Sequence, residues 1–149
     1  MRRMVLLCCA ALVMGCARRD AEPAADTSAM SAPMLSLADL AGTWTVRTMS
    51  ETSDSVLVEY QMTATADTTG WMIMLPNRPP QAVRVMVSGD SVMTEVGPFE
   101  SVLRPGVQVT TRGVSRIVNG EMVGTMVARY AGAGADSVVT LRTRGTRNP

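Results

Sequence analysis

From Gly42 onward, apolar and polar residues alternate with a period of two, and no stretch carries the 3.6-residue period of a helix. Trp44, Val46 and Thr48 share one face of a first strand. Val56, Val58, Tyr60 and Met62 share a face of a second, with Glu59 and Gln61 opposite. Trp71, Ile73 and Leu75 mark a third, Val83, Val85 and Val87 a fourth against Arg84 and Met86, and Val92, Thr94 and Val96 a fifth. A long sixth strand opens at Val107 and Val109 and reaches about Val118. Asn119-Gly120 is a strong hairpin signal, because both residues tolerate the positive φ of a tight turn. It leads into a seventh strand from Glu121 to Tyr130. After the loop AGAGAD, an eighth strand runs from Ser137 to Arg144. Pro98 and the Pro105-Gly106 turn leave room for a ninth short strand within 97–104. Short, evenly spaced strands with turn signals between them predict a sandwich or a barrel.

Two local patterns refine this picture. Ser36-Leu37-Ala38-Asp39 predicts a short helical turn, with Ser36 as cap and Asp39 in the capping-box position. Gly42 is placed to end that turn in a left-handed conformation. Asp54-Ser55-Val56, Asp90-Ser91-Val92 and Asp136-Ser137-Val138 each follow a polar or glycine-rich loop. Asp and Ser bond nearby backbone groups in turns, and Val then begins a strand.

The front of the chain has a different character. Met1-Arg2-Arg3 is basic and Met4 to Met14 is uncharged and apolar, the order of a secretory signal. The run is about half the roughly 20 residues a spanning helix needs. It ends at Val13-Met14-Gly15-Cys16, which resembles the lipobox of bacterial lipoproteins. That resemblance implies cleavage after Gly15 and a diacylglycerol on the Cys16 sulfur; Met14 stands where a small residue is usual. Cys8 and Cys9 lie within the apolar run, so Cys16 has no later cysteine to pair with, and lipidation accounts for the odd thiol. Arg2-Arg3 also admits a twin-arginine route, which its neighbours fit less well. The organisation expected is a signal peptide over 1–15, a lipidated cysteine and flexible tether over 16–35, and a β-barrel domain over 36–149. The stretch 17–33, rich in Ala, Pro, Ser and Asp, has no apolar period with which to join a core.

Composition then removes function classes. All 14 basic residues are Arg, and without Arg2 and Arg3 the remaining 12 face 13 acids, a net charge of about −1. No basic field draws nucleic acid, and the aromatic residues Trp44, Tyr60, Trp71, Phe99 and Tyr130 are too few for a base-stacking platform. There is no His, and Cys16 is the one cysteine beyond the signal. A usual zinc site, a His-dependent nucleophile and a haem ligand set are therefore not expected. No catalytic residue, metal site or cofactor is expected; Glu59, Glu95 and Glu100 are carboxylates with nothing to mark them as a pair.

The predicted helical turn followed by Gly42-Thr43-Trp44 resembles the G-x-W motif of the lipocalins. The resemblance implies an all-β, eight-stranded antiparallel up-and-down barrel preceded by a short helical turn, often with a ligand cavity. It also implies that Trp44 closes the barrel base under an arginine from the last strands, with Arg142 and Arg144 both placed for that role. Two other marks of the family, a Thr-Asp-Tyr loop and a C-terminal helix, have no counterpart here.

On the seventh strand Met122, Gly124, Met126, Ala128 and Tyr130 form an uncharged face suited to a crowded interior. Methionine recurs in the predicted strands, at Met62, Met72, Met74, Met86, Met93, Met122 and Met126. Such side chains fill irregular gaps in a core and adapt to varied ligands. Tyr60, Met62, Trp71, Met122, Met126 and Tyr130 are the candidates to line a ligand cavity. The function expected is a lipid-anchored envelope protein, in the outer membrane facing the periplasm, whose barrel binds a small apolar ligand. The alternative is an interaction lipoprotein with a filled barrel that engages another envelope protein. An apolar pocket of about 300 Å³ or more favours the first.

Overall fold

The computed structural model describes residues 34–132 and 134–149, so Cys16 and the signal segment lie outside the described residues. A one-turn helix α1 (Leu37–Leu40) precedes eight strands: β1 (Gly42–Ser50), β2 (Val56–Ala64), β3 (Met72–Met74), β4 (Gln81–Ser88), β5 (Ser91–Glu100), β6 (Gln108–Val118), β7 (Glu121–Tyr130) and β8 (Val138–Arg147). Each strand pairs antiparallel with the next, and β8 pairs with β1, so the sheet closes into an up-and-down barrel. Closure leaves no strand at a free edge, although the short β3 pairs only with Gln61, Met62 and Thr63 of β2 and with Gln81 and Ala82 of β4.

The inward faces follow the alternation in the sequence. Val46 and Thr48 of β1, Met62 and Ala64 of β2, Val83 and Val85 of β4, and Val92 and Val96 of β5 are buried; so are Met122, Ala128 and Tyr130 of β7 and Leu141 of β8. Met74 and Met86, on the opposite parity, are exposed on the outer wall. The hairpin at Asn119-Gly120 has Val118 opposite Glu121, as the turn residues require.

Several expectations are corrected. No separate ninth strand forms among the described residues 97–104: β5 continues through Gly97 and Pro98, and a register shift between Val96 and Phe99 takes up the proline, which lacks an N–H for the ladder. The third strand is only three residues long, although Trp71 and Leu75 at its ends face inward as expected. The eighth strand starts one residue later and ends three residues later than predicted, after a 3₁₀ turn at Gly134–Ser137. Ser36 flanks α1 without a side-chain capping bond. The turn ends at Ala41, and Gly42 is already the first residue of β1, with φ of +139°.

Topology sets the two ends of the barrel. The β2–β3, β4–β5 and β6–β7 connections lie at one end with α1, and the other four loops surround a mouth. At the α1 end the chain crosses the barrel as a plug: the Leu35 N–H donates to the Gly89 carbonyl in the β4–β5 turn, and Leu40 is fully buried. Trp44 is also buried, and its Nε1 donates to the Leu40 carbonyl at 2.8 Å. Trp71 joins the same cluster and donates to the Asp67 carbonyl at 2.8 Å.

The arginine over Trp44 is Arg147, not Arg142 or Arg144. Its guanidinium carbon lies 4.6 Å from the indole centroid, and its nitrogens donate to the Asp39 and Ala41 carbonyls. Parity explains the choice. Leu141, Thr143, Gly145 and Arg147 share the inward parity of β8, and Trp44 is the residue paired with Arg147. Arg142 and Arg144 point outward; Arg142 binds the Ser50 and Ser53 carbonyls and Asp54, and Arg144 faces Glu121 at 3.8 Å. Gly42 makes room for this arrangement, since a Cβ there would lie 3.0 Å from Arg147 Nη1. At Gly124 the strands approach so closely that a Cβ would lie 2.2 Å from the Val114 carbonyl oxygen.

Trp44→Ala is expected to cost about 3–5 kcal/mol, because it removes one of the two buried tryptophans of the base. Arg147→Ala is expected to cost about 1–2 kcal/mol, from the lost stacking and the carbonyls it leaves bare. Arg144→Ala, which breaks one exposed ion pair, is expected to cost under about 1 kcal/mol. Urea midpoints at constant m-value rank the three.

Candidate functional site

The inward side chains nearest the mouth do not fill the barrel. They leave a cavity of about 80 Å³ whose wall includes Thr48, Val58, Tyr60, Met62, Leu75, Phe99, Met126, Tyr130 and Leu141. A smaller void of about 30 Å³ lies deeper, against Val46, Met122 and Gly145. Tyr60, Met62, Thr94 and Met126 border both spaces, so these four side chains form the partition. Met62 and Met126 are unbranched and flexible, which makes the partition adaptable.

No residue on the wall of the larger cavity carries a formal charge at neutral pH. Burial holds the Tyr60 phenol in its neutral form and pushes its pKa up to about 12, slightly opposed by a weak contact with the Thr48 hydroxyl. Thr48 Oγ1 is completely buried and has no hydrogen-bond partner of ordinary geometry among the described residues.

The β5–β6 loop shapes the mouth. Ser101 is buried, and its Oγ accepts from the N–H groups of Leu103 and Arg104 at 3.1 and 3.0 Å. Its own N–H donates to the Val107 carbonyl at 2.8 Å. This tight fold turns Val102 and Leu103 onto the cavity wall. Two contacts hold the loop from outside. Arg78 grips Glu100 through both nitrogens, at 3.1 and 3.0 Å, and Glu100 also accepts from the Gly106 N–H. Arg78 and that N–H together pull the Glu100 carboxyl down to about 2, so the latch stays ionised at any ordinary pH. Arg104 lies with its guanidinium carbon 4.1 Å from the centroid of the Tyr130 ring.

Of the six cavity candidates read from sequence, Tyr60, Met62, Met126 and Tyr130 come together on this wall. Met122 borders only the deeper void, and Trp71 belongs to the base with Trp44 rather than to either space. Sequence reasoning missed Thr48, Phe99 and the Val102-Leu103 pair. Thr48 was visible as an inward residue, but nothing in the alternation distinguishes a lone hydroxyl from a satisfied one. The loop residues sit outside any periodic segment.

Glu59, Glu95 and Glu100 do not converge. Glu59 pairs with Arg47 at 2.8 Å, Glu95 bridges Arg84 and Arg112 on the outer wall, and Glu100 serves the latch. A broader hollow of about 410 Å³ lies on the outer wall across β6, β7 and β8, between Val114, Arg116, Val123, Arg142 and Arg144. No protein-family model matches the chain, and no curated protein or solved structure shows significant similarity to it. The class is therefore defined by architecture alone: a closed eight-stranded meander barrel, consistent with a lipocalin-like fold.

The pKa of Tyr60 has a consequence for stability. Between about pH 10 and pH 12 the unfolded chain releases the phenolic proton while the folded protein keeps it. The unfolded state then binds fewer protons, so stability falls as pH rises through that window. Urea midpoints measured from pH 8 to pH 12 are expected to decline above pH 10, and Tyr60→Phe is expected to flatten that decline.

Proposed function

We propose that this protein is a binding module, tethered to a bacterial envelope membrane through a lipid on Cys16, that holds a slim apolar molecule inside its barrel. The observation that carries the reading is the cavity of about 80 Å³ behind the mouth, with an uncharged wall that is mostly Val, Leu, Met, Phe and Tyr and includes the hydroxyls of Thr48, Thr94, Ser101 and Thr111. At about 10–15 Å³ per water-sized group, it has room for roughly six such groups, a short alkyl chain or a small ring. A longer chain reaches the deeper void by displacing Met62 or Met126. The sequence has no His, and among the described residues Glu59, Glu95 and Glu100 are each taken up by arginine, which favours binding over catalysis.

A second reading is an interaction lipoprotein that meets another envelope protein through its outer wall. One observation favours it: the cavity of about 80 Å³ falls short of the roughly 300 Å³ expected from the sequence for a ligand-binding barrel, the lower end of ordinary small-molecule sites. The two readings share the same tether and differ in whether the interior is occupied.

Native mass spectrometry of the full-length protein purified from its own host separates them. A retained small molecule that is lost on unfolding supports the binding module; a bare mass across preparations supports the filled barrel. In the same cells, Cys16→Ser is expected to move the protein out of the membrane fraction and remove acyl mass from its N-terminus. Retention in the membrane, with no acyl mass on the parent, contradicts the tether.

A further inference from the structure

Thr48 is the least comfortable residue in the barrel. It sits on the inward face of β1, paired with Val58 of β2 on one side and Thr143 of β8 on the other. It is 1% exposed, and its Oγ1 makes no hydrogen bond of ordinary geometry, its contact with the Tyr60 phenol being the polar one it has. Buried polar groups in folded proteins almost always have partners, so an orphan calls for a reason. Thr48 lies on the wall of the larger of the two interior spaces described, beside Tyr60, and that wall holds no charged group. At the mouth, Arg104 stacks on Tyr130 and Arg78 is held by Glu100, while Arg47, Arg142 and Arg144 beside Thr48 and its partner Thr143 belong to the outward parity.

We infer that the cavity selects an uncharged ligand bearing one hydrogen-bonding group, a hydroxyl or carbonyl, seated against the Thr48 hydroxyl. This rests on the binding-module reading and adds the chemistry of the ligand. Thr48 can donate to a carbonyl or accept from a hydroxyl, so it serves both groups. An ionised carboxylate placed there meets no cation, and a buried charge without a partner is strongly disfavoured. A pure hydrocarbon fits the wall but leaves Thr48 as it stands. Tyr60 supports the same selection, since its phenol stays protonated and neutral up to about pH 12.

The test titrates the full-length protein at pH 7 with pentan-1-ol, pentane and pentanoate, each close to the capacity of the cavity. The methyl NMR signals of Met62 and Met126 report where each probe goes. Without a polar partner in the cavity, the alcohol binds less well than the alkane, because its hydroxyl gives up water for nothing. Pentan-1-ol is expected to bind at least as tightly as pentane, and pentanoate not to shift the signals. Thr48→Val is expected to change the alcohol-to-alkane affinity ratio by roughly tenfold against the alcohol, the worth of one hydrogen bond. Thr48→Ser, which keeps the hydroxyl, is expected to preserve the ratio and guards against a misfolded valine variant. A ratio unchanged by Thr48→Val, or pentanoate binding more tightly than pentan-1-ol, overturns the inference while leaving an apolar binding site intact. Failure of all three probes to shift Met62 and Met126 overturns the binding module and this inference with it.

Discussion

The closure of β8 onto β1 at the base is the constraint on which the rest of this structure depends. An eight-stranded sheet closes only if its first and last strands meet in register, and here the register ends on the pair Trp44–Arg147. That pair does three things at once. The indole fills the bottom of the core, the guanidinium covers it, and the same guanidinium binds the Asp39 and Ala41 carbonyls at the end of α1. A four-residue helix is too short to be stable alone. It persists because Leu40 is buried beneath the barrel and the carbonyls left bare at its end find a cation. With the base sealed in this way, the larger interior space lies toward the mouth.

The interior is narrow for reasons that can be traced to side chains. The inward faces carry Val, Met, Leu and two tyrosines, which nearly fill a barrel of this strand number. What is left is a small space with adaptable methionines along one side and a folded loop over the opening. The Glu100 latch holds that loop through geometry, with Arg78 and the Gly106 N–H on one carboxylate. The outer-wall ion pairs of Glu59 and Glu95 contribute little to stability, since exposed pairs typically give under about 1 kcal/mol.

Much of the fold was legible in the sequence, and the reason is period. Alternation over Val56–Met62, Val83–Val87 and Glu121–Tyr130 can be satisfied only by strands with one buried face, and Asn119-Gly120 fixes one hairpin by turn geometry. The role of Trp44 at the base was legible through the Gly42-Thr43-Trp44 motif. What was not legible depends on pairing between distant strands. Arg147 is marked only by its parity with Leu141 and by its register against Trp44, 103 residues earlier, and register is a property of the closed sheet. Trp71 has the right parity for the interior, yet its height along the barrel puts it at the base. Pro98 looked like a strand break because a proline cannot join the ladder, but a local register shift absorbs it. The cavity was the least legible feature, because a void is what remains after every neighbouring rotamer is placed.

A crystal pressurised with xenon is the most direct measurement of this arrangement, because xenon enters dry apolar space. Xenon is expected in the mouth half of the barrel, against Tyr60, Phe99 and Met126, and absent among Leu40, Trp44 and Trp71. Xenon at the base, or none inside the barrel, would contradict a sealed base beneath an open apolar cavity.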